Sequence, residues 1–394
     1  MSLALLALSL CTFALGFAEF VTVSLVPAIA SGTGLSVGSV GLMIGVYAFG
    51  VSIGAPTLSA LLAKQPRRTV LAASMLLFAA GNIGTALTAS LPLLLASRFL
   101  SGLMHGVVMA LAASTAAAAV GPERSGSAVA TVFAGLTVAL MIGVPLGTFA
   151  GGHLPWQYIF VAIAAIGTVA AAALLFFTPT ITLAASDASG PKPTVWGTIS
   201  DRKTLYSALI TVLAYTGSFT GFTYISVLLE RQTGLTASGV TGMFVLYGIA
   251  ATVGNTLGGK FIDKVGARSA SLLIFTGLIL AMAGAYAGAA SVPVMALVMA
   301  LWGLASFGAV PVLHTAVLLV AKQNTKGSAD VASGMNIAAF NLGITFGSAI
   351  GGVASGHSAQ MPMLVGLLPL AVGAALAWRL PARPSAATAP LVAH

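Results

Sequence analysis

The 394-residue sequence carries 6% charged side chains against 58% hydrophobic ones, whereas an average soluble domain has about 25% charged residues. So few charges cannot clothe a water-soluble surface of this size. That excludes an ordinary soluble domain and points to a polytopic membrane protein. The formal net charge of +9 is the kind of excess that marks nucleic-acid binding in a soluble protein, but here it has another explanation in the loops, given below.

Apolar stretches of bilayer-spanning length follow one another along the whole chain. The first, 3–29, lacks a basic start and is longer than the apolar core of a secretory leader, so it reads as a membrane span. It contains Glu19, which alone among the seven acidic residues lies deep within a span. A carboxylate in hydrocarbon costs about 2.5–3.5 kcal/mol on insertion scales, so Glu19 is expected to face a cavity or a partner. Thr12, Gly16 and Thr22 accompany it at helical spacing and give the span a small, polar face.

Spans two to six read as 37–63, 69–89, 93–120, 127–152 and 156–178. The fourth carries Arg98, Gly102 and His105 on one helix face, at spacings of four and three. The fifth carries Gly143, Gly147 and Gly151 every four residues with Pro145 among them, a pattern for close helix contact. The segment 179–203 breaks the series. It includes Ser186-Asp187-Ala188-Ser189-Gly190-Pro191-Lys192-Pro193, which has the composition of a linker.

Spans seven to twelve read as 204–229, 238–259, 269–290, 292–320, 331–355 and 362–378. The seventh bears one stripe of Tyr215, Phe219, Phe222 and Ser226, and a second of Thr216, Thr220 and Thr223. Aromatic walls with a few hydroxyls suit a mostly apolar ligand. Ordinary helix packing explains each of these residues equally well. The tenth span contains His314. No run alternates every two residues, and backbone polar groups in lipid need partners within their own segment, so all twelve spans are expected to be helices. The chain divides into a half at 1–178, the linker 179–203, a half at 204–380 and a tail at 381–394.

Placing the N-terminus in the cytoplasm puts fourteen of the sixteen basic residues in cytoplasmic loops or ends: Lys64, Arg67, Arg68, Arg124, Lys192, Arg202, Lys203, Lys260, Lys264, Arg268, Lys322, Lys326, Arg379 and Arg383. Arg231 falls on the opposite side, and Arg98 inside a span. This asymmetry predicts cytoplasmic termini. It also makes the positive charge a topology device, so no nucleic-acid partner is expected.

The halves repeat each other at an offset of 200 residues. Thr33-Gly34-Leu35 matches Thr233-Gly234-Leu235. Val40, Met43, Tyr47, Gly54, Lys64 and Arg68 match Val240, Met243, Tyr247, Gly254, Lys264 and Arg268, and Gly143, Gly147, Gly151 and Gly152 match Gly343, Gly347, Gly351 and Gly352. Two parallel six-helix repeats form a common transporter architecture, with substrate bound near mid-membrane between them.

Several motifs carry a family resemblance: Gly16-Phe17-Ala18-Glu19-Phe20-Val21 in the first span, Arg98 through Gly106 in the fourth, Gly143-Val144-Pro145-Leu146-Gly147 in the fifth, and Gly258 through Arg268 between the eighth and ninth. On these residues the chain resembles the major facilitator superfamily, and within it the twelve-span drug/proton antiporter branch, whose members export chloramphenicol, sugars or nucleosides. There are two departures. Ala63 stands where the first loop motif has an aspartate, kept as Asp263 in the second copy, and Pro145 lies between the two glycines of its motif instead of directly after the first.

The resemblance implies a central cavity walled by the first, fourth, seventh and tenth spans, with Tyr215, Phe219, Phe222, Thr223 and His314 facing substrate. Arg98 then holds a polar or anionic substrate group or pairs with Glu19; alternatively it snorkels to the outer interface. His105 is either a second titrating group or a neutral histidine packed between helices. Gly143, Pro145 and Gly147 are implied to seal the two halves together, and Asp263 and Arg268 to latch the cytoplasmic side and set topology.

The expected function is export of a small, largely apolar or uncharged compound in exchange for protons, with Glu19 as proton carrier. A sugar or nucleoside carrier without proton coupling is the alternative. The expected setting is the bacterial inner membrane, as a monomer. No metal-ligand spacing, phosphate-binding loop or catalytic constellation is present in the sequence, so no metal, cofactor or enzymatic activity is expected.

Overall fold

The computed structural model describes residues 3–62, 65–120, 125–178, 200–321 and 329–380. Every regular element among the described residues is a helix, with no strand among them. In chain order the first half consists of α1 (Leu3–Thr33), α2 (Val37–Leu58), α3 (Arg67–Ala86), α4 (Leu91–Val120), α5 (125–151) and α6 (Gln157–Phe177). The second half starts with α7 (Arg202–Arg231). A continuous run over Ala237–Ala287 follows, broken by non-helical backbone at Gly266, and gives α8 (237–265) and α9 (267–287). Next come α10 (Val292–Ala321), α11 (Ala329–Ser355) and α12 (Met361–Ala377). The helices follow the order of the twelve expected spans; ten runs among the described residues, with Ala237–Ala287 counted once, are long and apolar enough to cross a membrane, and Met361–Ala377 is a shorter apolar helix. Lys64, Arg124, Lys192, Lys322, Lys326, Arg383, the linker up to residue 199 and the tail 381–394 lie outside the described residues.

Turn chemistry fixes where the helices begin. Ser36 caps α2 by accepting from the Ser39 amide, and Thr236 caps α8 through the Gly239 amide. Asp201 caps α7, its carboxylate accepting from the Thr204 amide at 2.9 Å and the Thr204 hydroxyl at 2.6 Å. Before α2 and α8 the chain turns through Gly34 and Gly234, each at φ +72°. That left-handed conformation is open to glycine at little cost, and it recurs at the 200-residue offset.

The pseudo-symmetry extends into the packing. A Cβ on Gly102 of α4 would collide with the Tyr47 carbonyl of α2, and one on Gly303 of α10 with the Tyr247 carbonyl of α8. Gly54 against the Leu103 carbonyl is matched by Gly254 against Leu304. Small residues let each pair of backbones approach directly.

Three features differ from the sequence expectation. The Gly258–Arg268 block, read as a loop, is helical on both sides of Gly266, whose φ of +81° makes the one break. The second span becomes a π-helix at Gly54–Leu58, around Pro56. The fifth becomes a π-helix at Ala139–Gly143, where Pro145 has no N–H to offer the carbonyl of Met141.

The ends of the bundle differ. At the end where α1 finishes, the halves meet. Ser226 of α7 donates to the Val23 carbonyl of α1 at 2.7 Å, and Thr345 of α11 donates to the Gly45 carbonyl of α2 at 3.0 Å. Gly38 abuts the backbone of Gly352, and Gly41 lies against the Tyr224 hydroxyl. Outside this seal is a vestibule of about 740 Å³ lined from both halves. The end where α1 starts carries Arg67, Arg68, Arg202, Lys203, Lys260, Lys264, Arg268 and Arg379, whereas Arg231 lies at the sealed end.

Candidate functional site

Between the halves lies a cavity of about 340 Å³ that reaches from Glu19 toward the end where α1 starts. Phe20, Phe133, Tyr215, Phe307 and Phe340 supply aromatic wall. Phe20 of α1 and Phe307 of α10 meet across the halves, ring centroids 5.6 Å apart. The polar lining is sparse: Glu19, His105, Tyr215, His314, Asn336 and Asn341. An apolar, concave surface with a few placed polar groups is the usual form of a small-molecule site.

Glu19 is 8% exposed, and its Oε1 has no hydrogen-bond partner. Its neighbour along α1, Ala18, is held differently. The Ala18 carbonyl accepts a hydrogen bond from Arg98 Nη2 at 3.2 Å. Arg98 is fully buried, with its guanidinium carbon 4.1 Å from the Tyr47 ring centroid and 5.7 Å from that of Phe160. Cation–π contact and one backbone carbonyl therefore stabilise this charge, and its Nε and Nη1 have no partner. Arg98 does not snorkel. It also lies behind the cavity wall rather than in it, held between the Ala18 carbonyl and the Tyr47 and Phe160 rings.

Tyr47, absent from the sequence-based candidates, ties the cluster together. Its hydroxyl lies 2.7 Å from His105 Nδ1, and the two rings meet edge to face at 5.5 Å. Glu19 and His105 both line the cavity, with Arg98 and Tyr47 supporting them from behind. The signal available in the sequence was the match of Tyr47 with Tyr247 in the repeat.

A second cluster sits deeper toward the α1 start. Thr211 donates to Asn336 Oδ1 at 2.9 Å, and Asn336 Nδ2 lies 3.3 Å from His314 Nδ1. Nearby in α10, Pro311 has no N–H for the Phe307 carbonyl one turn back.

Of the α7 candidates, Tyr215 lines the cavity, its hydroxyl donating to the Ser306 carbonyl at 3.3 Å. Phe219, Phe222 and Thr223 do not line it. Phe222 stacks on Tyr247 at 4.6 Å and packs edge-on to Phe219 and Trp302 inside the second half. Thr223 hydrogen-bonds Ser348 at 3.0 Å. These three point into their own half because α7 is packed on most sides, and an aromatic stripe does not distinguish core from cavity.

The gating candidates are likewise redistributed. Gly143 and Gly147 face Phe13, Phe17 and Val21 of α1, so this seam joins two helices of one half. Pro145 is buried beside it. Contact with the second half comes from Leu140, whose carbonyl meets Gly248, and from Gly152 against Ala237. Asp263 is exposed on α8, and Arg268 lies over the Trp378 ring at 5.6 Å, a contact within the second half.

The family model of the Major Facilitator Superfamily matches residues 8–330. An uncharacterized MFS-type transporter of Bacillus subtilis (strain 168), YtbD, is 37% identical over 89% of this chain and 88% of its own. The inner membrane transport protein YdhP of Escherichia coli (strain K12) is 36% identical over 88% of this chain and 87% of its own. A chloramphenicol resistance protein of Streptomyces lividans is 33% identical over 90% and 89%. Among solved structures, a bacterial homologue of the human lysosomal transporter Spinster, in an inward-facing and unoccupied conformation, superposes with a TM-score of 0.77 at 16% identity, over 95% of both chains. This chain belongs to the Major Facilitator Superfamily: it is a multi-pass membrane transporter and not an enzyme.

Proposed function

We propose that the transporter exports a small, largely apolar or uncharged compound in exchange for protons, by alternating access between its two halves. The observation that carries this reading is the Glu19 carboxyl. It lies on the cavity wall at the sealed limit of the cavity, has an unpartnered oxygen, and has as its neighbour the residue to which Arg98 is fastened. An acid in that position can take up either a proton or a hydrogen-bonding substrate, and competition between the two is what antiport needs. The name of the Streptomyces relative, a chloramphenicol resistance protein, supports export.

In this proposal both termini are cytoplasmic and the protein works as a monomer in the bacterial inner membrane. The crowding of basic residues at one end supports that orientation. The sealed end is then the outer one, and the conformation is inward-facing. Tyr47 and Arg98 act as positioning residues, and His105 faces the same cavity.

The test uses purified protein in liposomes with a trapped pH dye and an imposed gradient. Chloramphenicol, then sugars, then nucleosides are added, and proton movement triggered by substrate is recorded. Antiport predicts a response that Glu19→Gln abolishes. Labelled substrate that equilibrates without proton movement, unchanged in Glu19→Gln, would replace the proposal with an uncoupled sugar or nucleoside carrier.

A further inference from the structure

Five of the six polar residues lining the cavity, all but Glu19, make a side-chain hydrogen bond. His105 Nδ1 faces the Tyr47 hydroxyl, Asn336 is held at both ends by Thr211 and His314, and Tyr215 donates to Ser306. Two of the lining residues keep a buried side-chain oxygen without a partner, Glu19 its Oε1 and Asn341 its Oδ1. Asn341 is 3% exposed in the middle of α11. Its Nδ2 donates to the Ile337 carbonyl at 2.9 Å, one turn back on its own helix. That bond fixes the amide, because the flipped orientation would set oxygen against oxygen. Oδ1 is therefore left as an acceptor by the geometry of its own helix.

We infer that Asn341 is a substrate-binding residue, and that the transported molecule carries at least two hydrogen-bond donors on an otherwise apolar body, one meeting Glu19 and the other Asn341 Oδ1. A buried acceptor without a donor is costly, so a ligand that supplies the donor is selected over one of the same shape that lacks it. This is the kind of contact that gives large discrimination, since the analogue without the donor leaves the site unpaired. The two oxygens also belong to different halves, Glu19 to α1 and Asn341 to α11. A molecule bonded to both bridges the halves across the cavity and favours their approach on that side. The inference rests on the cavity being the transport site, and it does not depend on proton coupling.

The test is equilibrium binding to detergent-purified, full-length protein, with no gradient, followed by intrinsic tryptophan fluorescence and calorimetry. Three probes are compared: chloramphenicol, which bears two hydroxyls and an amide N–H; its diacetyl ester, in which both hydroxyl donors are capped; and tetraphenylphosphonium, a cation with no donor. The expected order places chloramphenicol first by about tenfold or more over the ester, the scale of one or two hydrogen bonds. Asn341→Leu is expected to weaken chloramphenicol about tenfold and leave the ester unchanged. Asn341→Thr keeps a hydroxyl that can donate to the Ile337 carbonyl and still accept from the ligand, and it is expected to retain binding better than the leucine variant. It also serves as the control should the leucine variant fold poorly. Equal affinity of native protein and Asn341→Leu for chloramphenicol would overturn the inference. A preference for the ester or for the phosphonium, or no binding by any of the three, would also overturn it. A carrier that binds in this order yet moves no protons would leave Asn341 in place and remove the antiport reading alone.

Discussion

The Tyr47 hydroxyl lies 2.7 Å from His105 Nδ1, joining α2 to α4 behind the cavity wall. The same ring carries the Arg98 guanidinium at 4.1 Å. The two contacts separate by substitution. Tyr47→Phe keeps the ring under Arg98 and removes the bond to His105. It is expected to lower transport several-fold and to cost about 1 kcal/mol of stability, since His105 loses a buried partner. Tyr47→Leu removes both and leaves a buried cation short of partners, so loss of folded protein on size-exclusion chromatography is expected as well. Equal transport by Tyr47→Phe and native protein would make the tyrosine a packing element only.

Glycine at the helix crossings is a requirement with a built-in control. Gly102→Ala and Gly303→Ala force a methyl against the carbonyls of Tyr47 and Tyr247. Backbone cannot yield as a side chain end can, so each is expected to cost about 1–3 kcal/mol. Gly242 lies in α8 with open space where a methyl would sit. Gly242→Ala is expected to be neutral or to stabilise by up to about 1 kcal/mol. Thermal unfolding of the three variants in one detergent decides the matter.

The sealed end can be locked. A Cβ on Gly38 would lie 3.4 Å from the Gly352 Cα, and one on Gly352 3.5 Å from the Gly38 Cα, so once the two backbones shift apart slightly to admit the side chains the positions are within disulfide reach. With Cys11, the one native cysteine, changed to serine, the pair Gly38→Cys and Gly352→Cys is expected to oxidise readily. Transport should stop on oxidation and return with reductant. Continued transport by the cross-linked protein would show that this end does not open during the cycle.

Outside the membrane, Asp201 offers a pH test. Hydrogen bonds from Thr204 hold its carboxyl below the ordinary carboxylate range. A group whose folded-state pKa is depressed contributes stability above its unfolded pKa and loses it as pH falls through the folded value. Asp201→Ala is expected to destabilise the start of α7 by about 1 kcal/mol at neutral pH. The gap between variant and native melting temperatures should close on acidification below about pH 4.

Much of the architecture was readable from the sequence because lipid imposes a simple rule, that apolar length makes a span. The repeat was readable because backbone requirements recur: Gly34 and Gly234 share the same positive φ, and Gly54 and Gly254 the same crossing. The direction a side chain faces was harder to read. Phe219 and Phe222 sit on the same helix as Tyr215, yet only Tyr215 reaches the cavity, since which part of a surrounded helix borders a cavity depends on neighbours distant in sequence. Tyr47 was hidden for a related reason, as an aromatic ring in an apolar run resembles filling. Asn336 and Asn341 do carry a signal of their own: two amides within the eleventh span, where a polar side chain needs a partner or a purpose.

At the sealed end the two halves touch largely through glycine backbone and single hydroxyls, with Gly38 against Gly352 and Thr345 on the Gly45 carbonyl. The bulky side chain in this contact is Tyr224, its ring seated against Gly41, so parting the halves asks a single aromatic to leave a glycine surface. Such a joint behaves as a smooth bearing. Its opening is limited by a few exchanged hydrogen bonds, and the choice between closed and open passes to whatever occupies the cavity behind it.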